Sequence, residues 1–117
     1  NMKELIKQVE QLVHDELHRA NKKFPLFNST HEGLAVIQEE LWEAENELKG
    51  IGEAKENLDR AVYLNVFDTA MLNKLAIIDL DKLQERAVKS ACELIQAAAM
   101  CEKFKLSLDI KEKREEE

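Results

Sequence analysis

Apolar residues recur at helical spacing in four stretches of the chain. From about Met2 to Lys23, Leu5, Val9, Leu12, Leu17 and Ala20 fall near one face and predict a first helix. Phe24-Pro25 is expected to stop it, because the residue before a proline is pushed out of the helical region. A short loop, Leu26 to Thr30, follows. Ser29 and Glu32 then stand in the S-x-x-E register of a capping box, with Ser29 or Thr30 as the cap residue. Leu34, Ile37, Leu41, Ala44 and Leu48 repeat in alternating steps of three and four, the narrow seam of a helix that packs on other helices. Gly50-Ile51-Gly52 predicts its end.

The third stretch begins with a helical face of Ala54, Leu58, Ala61 and Val62. From Tyr63 to Leu80 it is apolar almost all round, with Asp68, Lys74 and Asp79 as its charges. Such a segment is expected to be buried on several sides or packed against a second subunit, and Asp68-Thr69 or Asn73 to divide it. Asp79 or Asp81 would cap the last helix, which carries Leu83, Ala87, Ala91, Leu94, Ala98 and Cys101 on one face. Lys111 to Glu117 contains no apolar residue and reads as a charged, frayed tail. The expected fold is all-α: a bundle of four to five helices in a single domain over 2–110, completed by oligomerisation.

Composition narrows the function. Three glycines and one proline in 117 residues leave little turn chemistry for a sheet. The balance of 17 basic against 24 acidic residues, net −7, argues against a nucleic-acid polymer or an anionic membrane surface as partner. No apolar run approaches a membrane span and no signal-peptide pattern is visible, so the expected location is cytoplasmic. Cys92 and Cys101 are nine positions apart in one predicted helix, on opposite faces and roughly 13 Å apart along the axis. That excludes a bridge within the helix, and both are expected as buried or half-buried thiols.

Candidate chemistry concentrates on the second helix, where Glu39, Glu40, Glu43, Glu45 and Glu47 cluster. Glu40, Glu43 and Glu47 form one row beside the apolar seam, while Glu45 points elsewhere. Carboxylates three or four residues apart can close on one hard cation, and Mg²⁺ takes two or three of them while keeping waters. An acidic helix face is ordinarily just a solvated face. A second pair, Glu93 and Gln96, stands three apart within the apolar run Ala91 to Met100. Either it is an exposed polar stripe or it faces the Glu40/Glu43 pair across a bundle, as metal sites between helices are built.

At these residues the chain resembles a known family. Phe24-Pro25, Phe27 and Ser29, followed by His31-Glu32-Gly33-Leu34-Ala35-Val36-Ile37-Gln38-Glu39-Glu40-Leu41-Trp42-Glu43, resemble the first signature of MazG-like proteins. These belong to the all-α nucleoside triphosphate pyrophosphohydrolase superfamily, whose E-E-x-x-E motif Glu39-Glu40-x-x-Glu43 matches. Glu93-Leu94-Ile95-Gln96-Ala97-Ala98-Ala99-Met100 resembles the second signature of its small branch. The two stretches cover roughly a quarter of the chain. The resemblance implies a Mg²⁺-dependent enzyme, with Mn²⁺ as a possible substitute, that converts (d)NTP to (d)NMP and pyrophosphate. It implies Glu40, Glu43, Glu93 and Gln96 as metal ligands, Glu43 as a catalytic carboxylate, and Glu39 as one that orients water.

Two departures from the pattern stand out. Gln96 takes the place of the Asp of E-x-x-D; its amide oxygen can ligate but brings no charge and cannot act as a base. The 49 residues between Glu43 and Glu93 exceed the common separation, the extra length being the apolar segment around 63–80. The rival readings are a helical scaffold that acts by association, its catalysis lost with that Asp, and a phosphoribosyl-nucleotide pyrophosphohydrolase.

The physics of the implied reaction fits an anionic chain, which holds an anionic triphosphate only with divalent cations between carboxylates and phosphates. No G-x-x-x-x-G-K-[ST] is present, so a P-loop mechanism is excluded. Among candidate substrate-binding residues, Trp42 could stack on a base or bury in a subunit contact. His31 would help position the loop at the helix start. Lys74, like Lys55 and Arg60, could reach phosphates. His14 and His18 are four apart on the first helix but lack the Glu of H-E-x-x-H and a third ligand, and read as surface residues. Met71 and Met100 read as core.

Overall fold

The computed structural model describes the backbone of residues 1–23, 26–64 and 69–116, and the side chains of 1–23, 26–63 and 74–109. The fold is all-helical: α1 (Met2–Lys23), α2 (Thr30–Leu64) and α3 (Thr69–Glu116), with no strand among the described residues. The bounds of α1 are those its periodicity predicts; Phe24-Pro25, its expected stop, lies outside the described residues. Asn1 Oδ1 accepts the Glu4 backbone N–H at 3.0 Å and caps α1. At α2 the Ser29 hydroxyl accepts the Glu32 N–H at 3.1 Å, which makes Ser29 the cap. The Glu32 carboxylate reaches back to the N–H of Asn28 at 3.1 Å, one residue ahead of the cap itself.

The breaks that would produce four or five helices are not taken. α2 runs through Gly50-Ile51-Gly52, and α3 runs through Asn73, Asp79 and Asp81. Two glycines in a helix cost about 1 kcal/mol each against alanine. At Gly50 packing offsets this: the residue is buried, and a Cβ there would collide with the Arg86 guanidinium laid across it. The other expected division, at Asp68, falls outside the described residues. α3 continues as helix through Glu116, the charged stretch from Lys111 included.

The chain divides into two compact units. One comprises Asn1–Trp42 with Glu93–Glu117, the other Glu43–Cys92. In the first, Leu17, Ala97 and Ala99 are buried, and Gly33 admits the Phe104 ring, whose Cδ2 would stand 2.7 Å from a Cβ at that position. Phe104 meets Phe27 edge to face, ring centroids 6.1 Å apart at 75°. The Phe27 N–H donates to the Ser107 hydroxyl at 3.1 Å. These contacts run α3 antiparallel to the start of α2.

In the second unit Ala44 and Ala54 of α2 and Ser90 of α3 are buried. Lys89 pairs with Glu47 at 3.2 Å, and Arg86 lies over Gly50.

Of the predicted seam of α2, Ala44 is buried and Ile37 half-buried, while its leucines stay open. Leu34, Leu41 and Leu48 are 50%, 44% and 48% exposed. In the described part of the apolar run Tyr63, Ile77, Ile78 and Leu80 are exposed, so of the two expectations for it, burial on several sides within the chain does not hold for these residues. Leu5, Val9 and Leu12 of α1 are likewise exposed. Cys92 and Cys101 are free thiols as expected, but both are exposed rather than buried. Met100 is half-buried, and the Met71 side chain lies outside the described residues.

Candidate metal centre

Glu40 and Glu93 belong to the same compact unit, on α2 and α3 respectively. Glu43 follows Glu40 by one turn of the uninterrupted α2. One carboxylate oxygen of each of the three lies within 4.8 Å of the others, and all three side chains are half-buried. The i,i+3 spacing supplies two neighbouring carboxylates from one helix. The third comes from an otherwise alanine-rich face of α3. Among the described residues this is the cluster of His, Cys, Asp and Glu whose ligand atoms converge.

Three carboxylates so close repel one another in water and more strongly where water is excluded. Glu93 Oε2 is buried and accepts no hydrogen bond from any described residue. A buried carboxylate oxygen with no donor is costly unless a cation completes it. The donor set is all oxygen and anionic, which suits a small hard divalent ion and not a soft one. Residues and geometry fit Mg²⁺ or Mn²⁺. Glu47, one turn beyond Glu43, is half-shielded and already neutralised by Lys89, so it is committed to an ion pair.

The other predicted site residues are dispersed. Gln96 is half-buried one turn after Glu93 on α3. Glu39 is exposed on α2 and stands outside the converging carboxylates. Trp42 is 64% exposed, and His31 and Lys74 are exposed. His14 and His18 are exposed and join no described metal-type cluster.

One group escaped the sequence reading. Lys103 is a lysine only 5% exposed, its Nζ 4.7 Å over the Phe27 ring. Desolvation holds its pKa below the ordinary 10.5, opposed by the charge of Glu32. The sequence signal was a lone cation three residues after an alanine-rich inward face.

With this geometry established, comparison with known proteins adds no relative: no family model, curated protein or solved structure matches the chain. None of the described helices is long and apolar enough to cross a membrane.

Proposed function

We propose that the chain is a MazG-like nucleoside triphosphate pyrophosphohydrolase that uses Mg²⁺ and acts in the cytoplasm. The observation that carries this reading is the convergence of Glu40, Glu43 and Glu93 within 4.8 Å from two helices, within the two stretches that resemble the family's signatures. Glu40, Glu43 and Glu93 would hold the ion, with Gln96 within one turn as a neutral oxygen donor. When bound, the ion supplies charge compensation for the phosphates and a hydrolytic water acidified for attack. The chain's carboxylates orient that water and accept its proton as its oxygen bonds to the α-phosphorus and the bond to the bridging oxygen breaks, releasing pyrophosphate. Glu43 belongs to the cluster and can serve as that base; exposed Glu39, beside Glu40, is the proposed orienting carboxylate.

A second copy of this chain is the proposed cover for the leucine row. Leu34, Leu41 and Leu48 recur at seven-residue spacing, so one seam can meet its own twin across a two-fold axis.

The direct test is pyrophosphate release from a panel of nucleoside triphosphates with and without Mg²⁺, for wild type and Glu43→Gln. Release that requires Mg²⁺ and falls by about a hundredfold or more in the variant is expected. Gln96 in place of an acid favours one second reading, a scaffold that acts by association. A folded protein inactive across the panel would establish that reading instead.

A further inference from the structure

The unit that holds Glu40 and Glu93 also contains a cavity of about 320 Å³, within the range of small-ligand pockets. Its walls include Phe27, Val36 and Met100, and its polar groups are Lys103, Glu32, Arg19 and Lys23. Arg19 is largely exposed and tied to Glu16 by a charge-assisted hydrogen bond, and Lys23 is an exposed residue at the end of α1. Lys103 differs from both. It is nine-tenths buried, its Nζ lies 4.7 Å over the Phe27 ring, and the charge of Glu32 acts on it. An ammonium offers three donors and no acceptor, and when desolvated it needs an acceptor to complete it. Glu32 stands in the same cavity as an acceptor; only its Oε2 is engaged, with the Asn28 N–H.

We infer that this cavity receives the keto–imino edge of a nucleobase, Lys103 donating to the carbonyl and Glu32 accepting the neighbouring ring N–H. The inference rests on the nucleotide reading above and assigns the base that the site prefers. Val36 is one turn before Glu40 on α2, about 6 Å along the axis, and Met100 is about 10 Å beyond Glu93 on α3. A nucleotide with its phosphates at the carboxylates therefore has its base end within reach of Lys103. Guanine offers O6 with N1–H, and thymine or uracil offers O4 with N3–H, the complement of a lysine beside a glutamate. Adenine and cytosine present the reverse order, an amino group toward the ammonium and a bare ring nitrogen toward the carboxylate. Val36 and Met100 supply the apolar walls against which a base lies. The Phe27 ring face is covered by Lys103 itself, so recognition falls to the edge and not to stacking on that ring.

The test is metal-free binding to the full chain. GMP, dTMP, AMP and CMP are titrated in EDTA by calorimetry or by backbone NMR shifts, for wild type, Lys103→Met and Glu32→Gln. The expected result is that GMP and dTMP bind at least tenfold more tightly than AMP and CMP, and that both variants level the four. Glu32→Gln keeps an oxygen for the Asn28 N–H, so it remains informative if Lys103→Met fails to fold. Equal affinities or the reverse preference in wild type would overturn the inference, as would a preference that survives in either folded variant. Pyrophosphate release from the four triphosphates with Mg²⁺, measured in parallel, separates this from the enzyme reading. If release is absent while the metal-free preference holds, the enzyme reading falls and the base site stands. If release proceeds without base preference, the base site falls alone.

Discussion

Removing one carboxylate from the Glu40–Glu43–Glu93 cluster should stabilise the metal-free protein and cut the stability gained from a divalent ion. Glu93→Gln keeps the shape of the side chain and deletes its charge. At the 4.8 Å that bounds the separations, two unit charges at an effective dielectric of about 20 repel by roughly 3.5 kcal/mol. Half-burial and salt reduce this to about 1 kcal/mol per pair. Glu93 faces two partners, so the substitution relieves about 2 kcal/mol in the metal-free protein. For a domain of this size that raises the melting temperature by about 8 °C. The new amide can also donate to a neighbouring carboxylate, in the same direction. With Mg²⁺ the variant's lead narrows. At about 10 mM ion and a dissociation constant on the order of 1 mM, wild type gains about 1.4 kcal/mol by linkage, roughly 6 °C. Glu93→Gln should keep less than a third of that gain. The assay is thermal unfolding followed by circular dichroism at 222 nm, in EDTA and in Mg²⁺. A variant that melts below wild type in EDTA, or that gains as much from Mg²⁺, would refute both the mutual repulsion and the shared ion.

Four further outcomes are expected. Gly52 has nothing within 4 Å of a Cβ, so Gly52→Ala should add about 1 kcal/mol from helix propensity. At Gly33 the same gain meets Phe104 at 2.7 Å, and overpacking of about 1–3 kcal/mol makes Gly33→Ala a net loss of roughly 1 kcal/mol; denaturant midpoints at constant slope decide both. Gln96→Asp should tighten Mg²⁺ binding several-fold in calorimetry, and an unchanged affinity would show that residue 96 does not touch the ion. Lys103 titrates below 10.5 in the folded chain, so the unfolded chain holds the extra proton between its folded value and 10.5, and wild type gains stability with rising pH in that window. Urea midpoints of wild type and Lys103→Met, with the variant ahead at pH 7, should converge toward pH 10.5; a constant gap would mean that the ammonium carries no desolvation cost.

What the sequence made legible is what local chemistry decides. The cap at Ser29, the extent of α1 and the i,i+3 glutamates of α2 depend on neighbours within a turn, and each is found where spacing places it. The partner of that glutamate pair was half legible: an acid in an apolar run is either exposed or partnered, and Glu93 converges on the pair. The rest depends on which face turns inward. Period selected Leu34, Ile37, Leu41, Ala44 and Leu48, yet of these only Ala44 is buried, and the other described buried residues of α2 are Gly33, Gly50 and Ala54. Small residues carry almost no hydropathy signal but let helices and long side chains approach. The same blindness made Gly50 look like a stop: Arg86, 36 residues on, occupies the space its missing Cβ leaves. Gly33 had appeared only as part of a motif, and Phe104 supplies its physical reason.

Net charge was the least informative of the sequence measures for the site. An excess of acid excludes a long polyanion, because a polyanion samples the whole surface and meets mostly carboxylates. A small anion samples one cleft, and there position outweighs the total. Of the 17 lysines and arginines, Lys103 is the buried one among the described residues. Its field acts through a medium of lower dielectric than that of any surface cation, so it outweighs several of them at short range. The same unit holds the opposite charge in Glu40 and Glu93, two of three carboxylates that converge. A ligand that arrives with a divalent ion at one end and a hydrogen-bond acceptor at the other relieves both. Neither feature alone specifies a nucleotide, since acidic clusters and buried lysines each occur without ligands. Their placement along the same stretches of α2 and α3, two to three turns apart, is what favours the proposed nucleotide as the molecule that completes them.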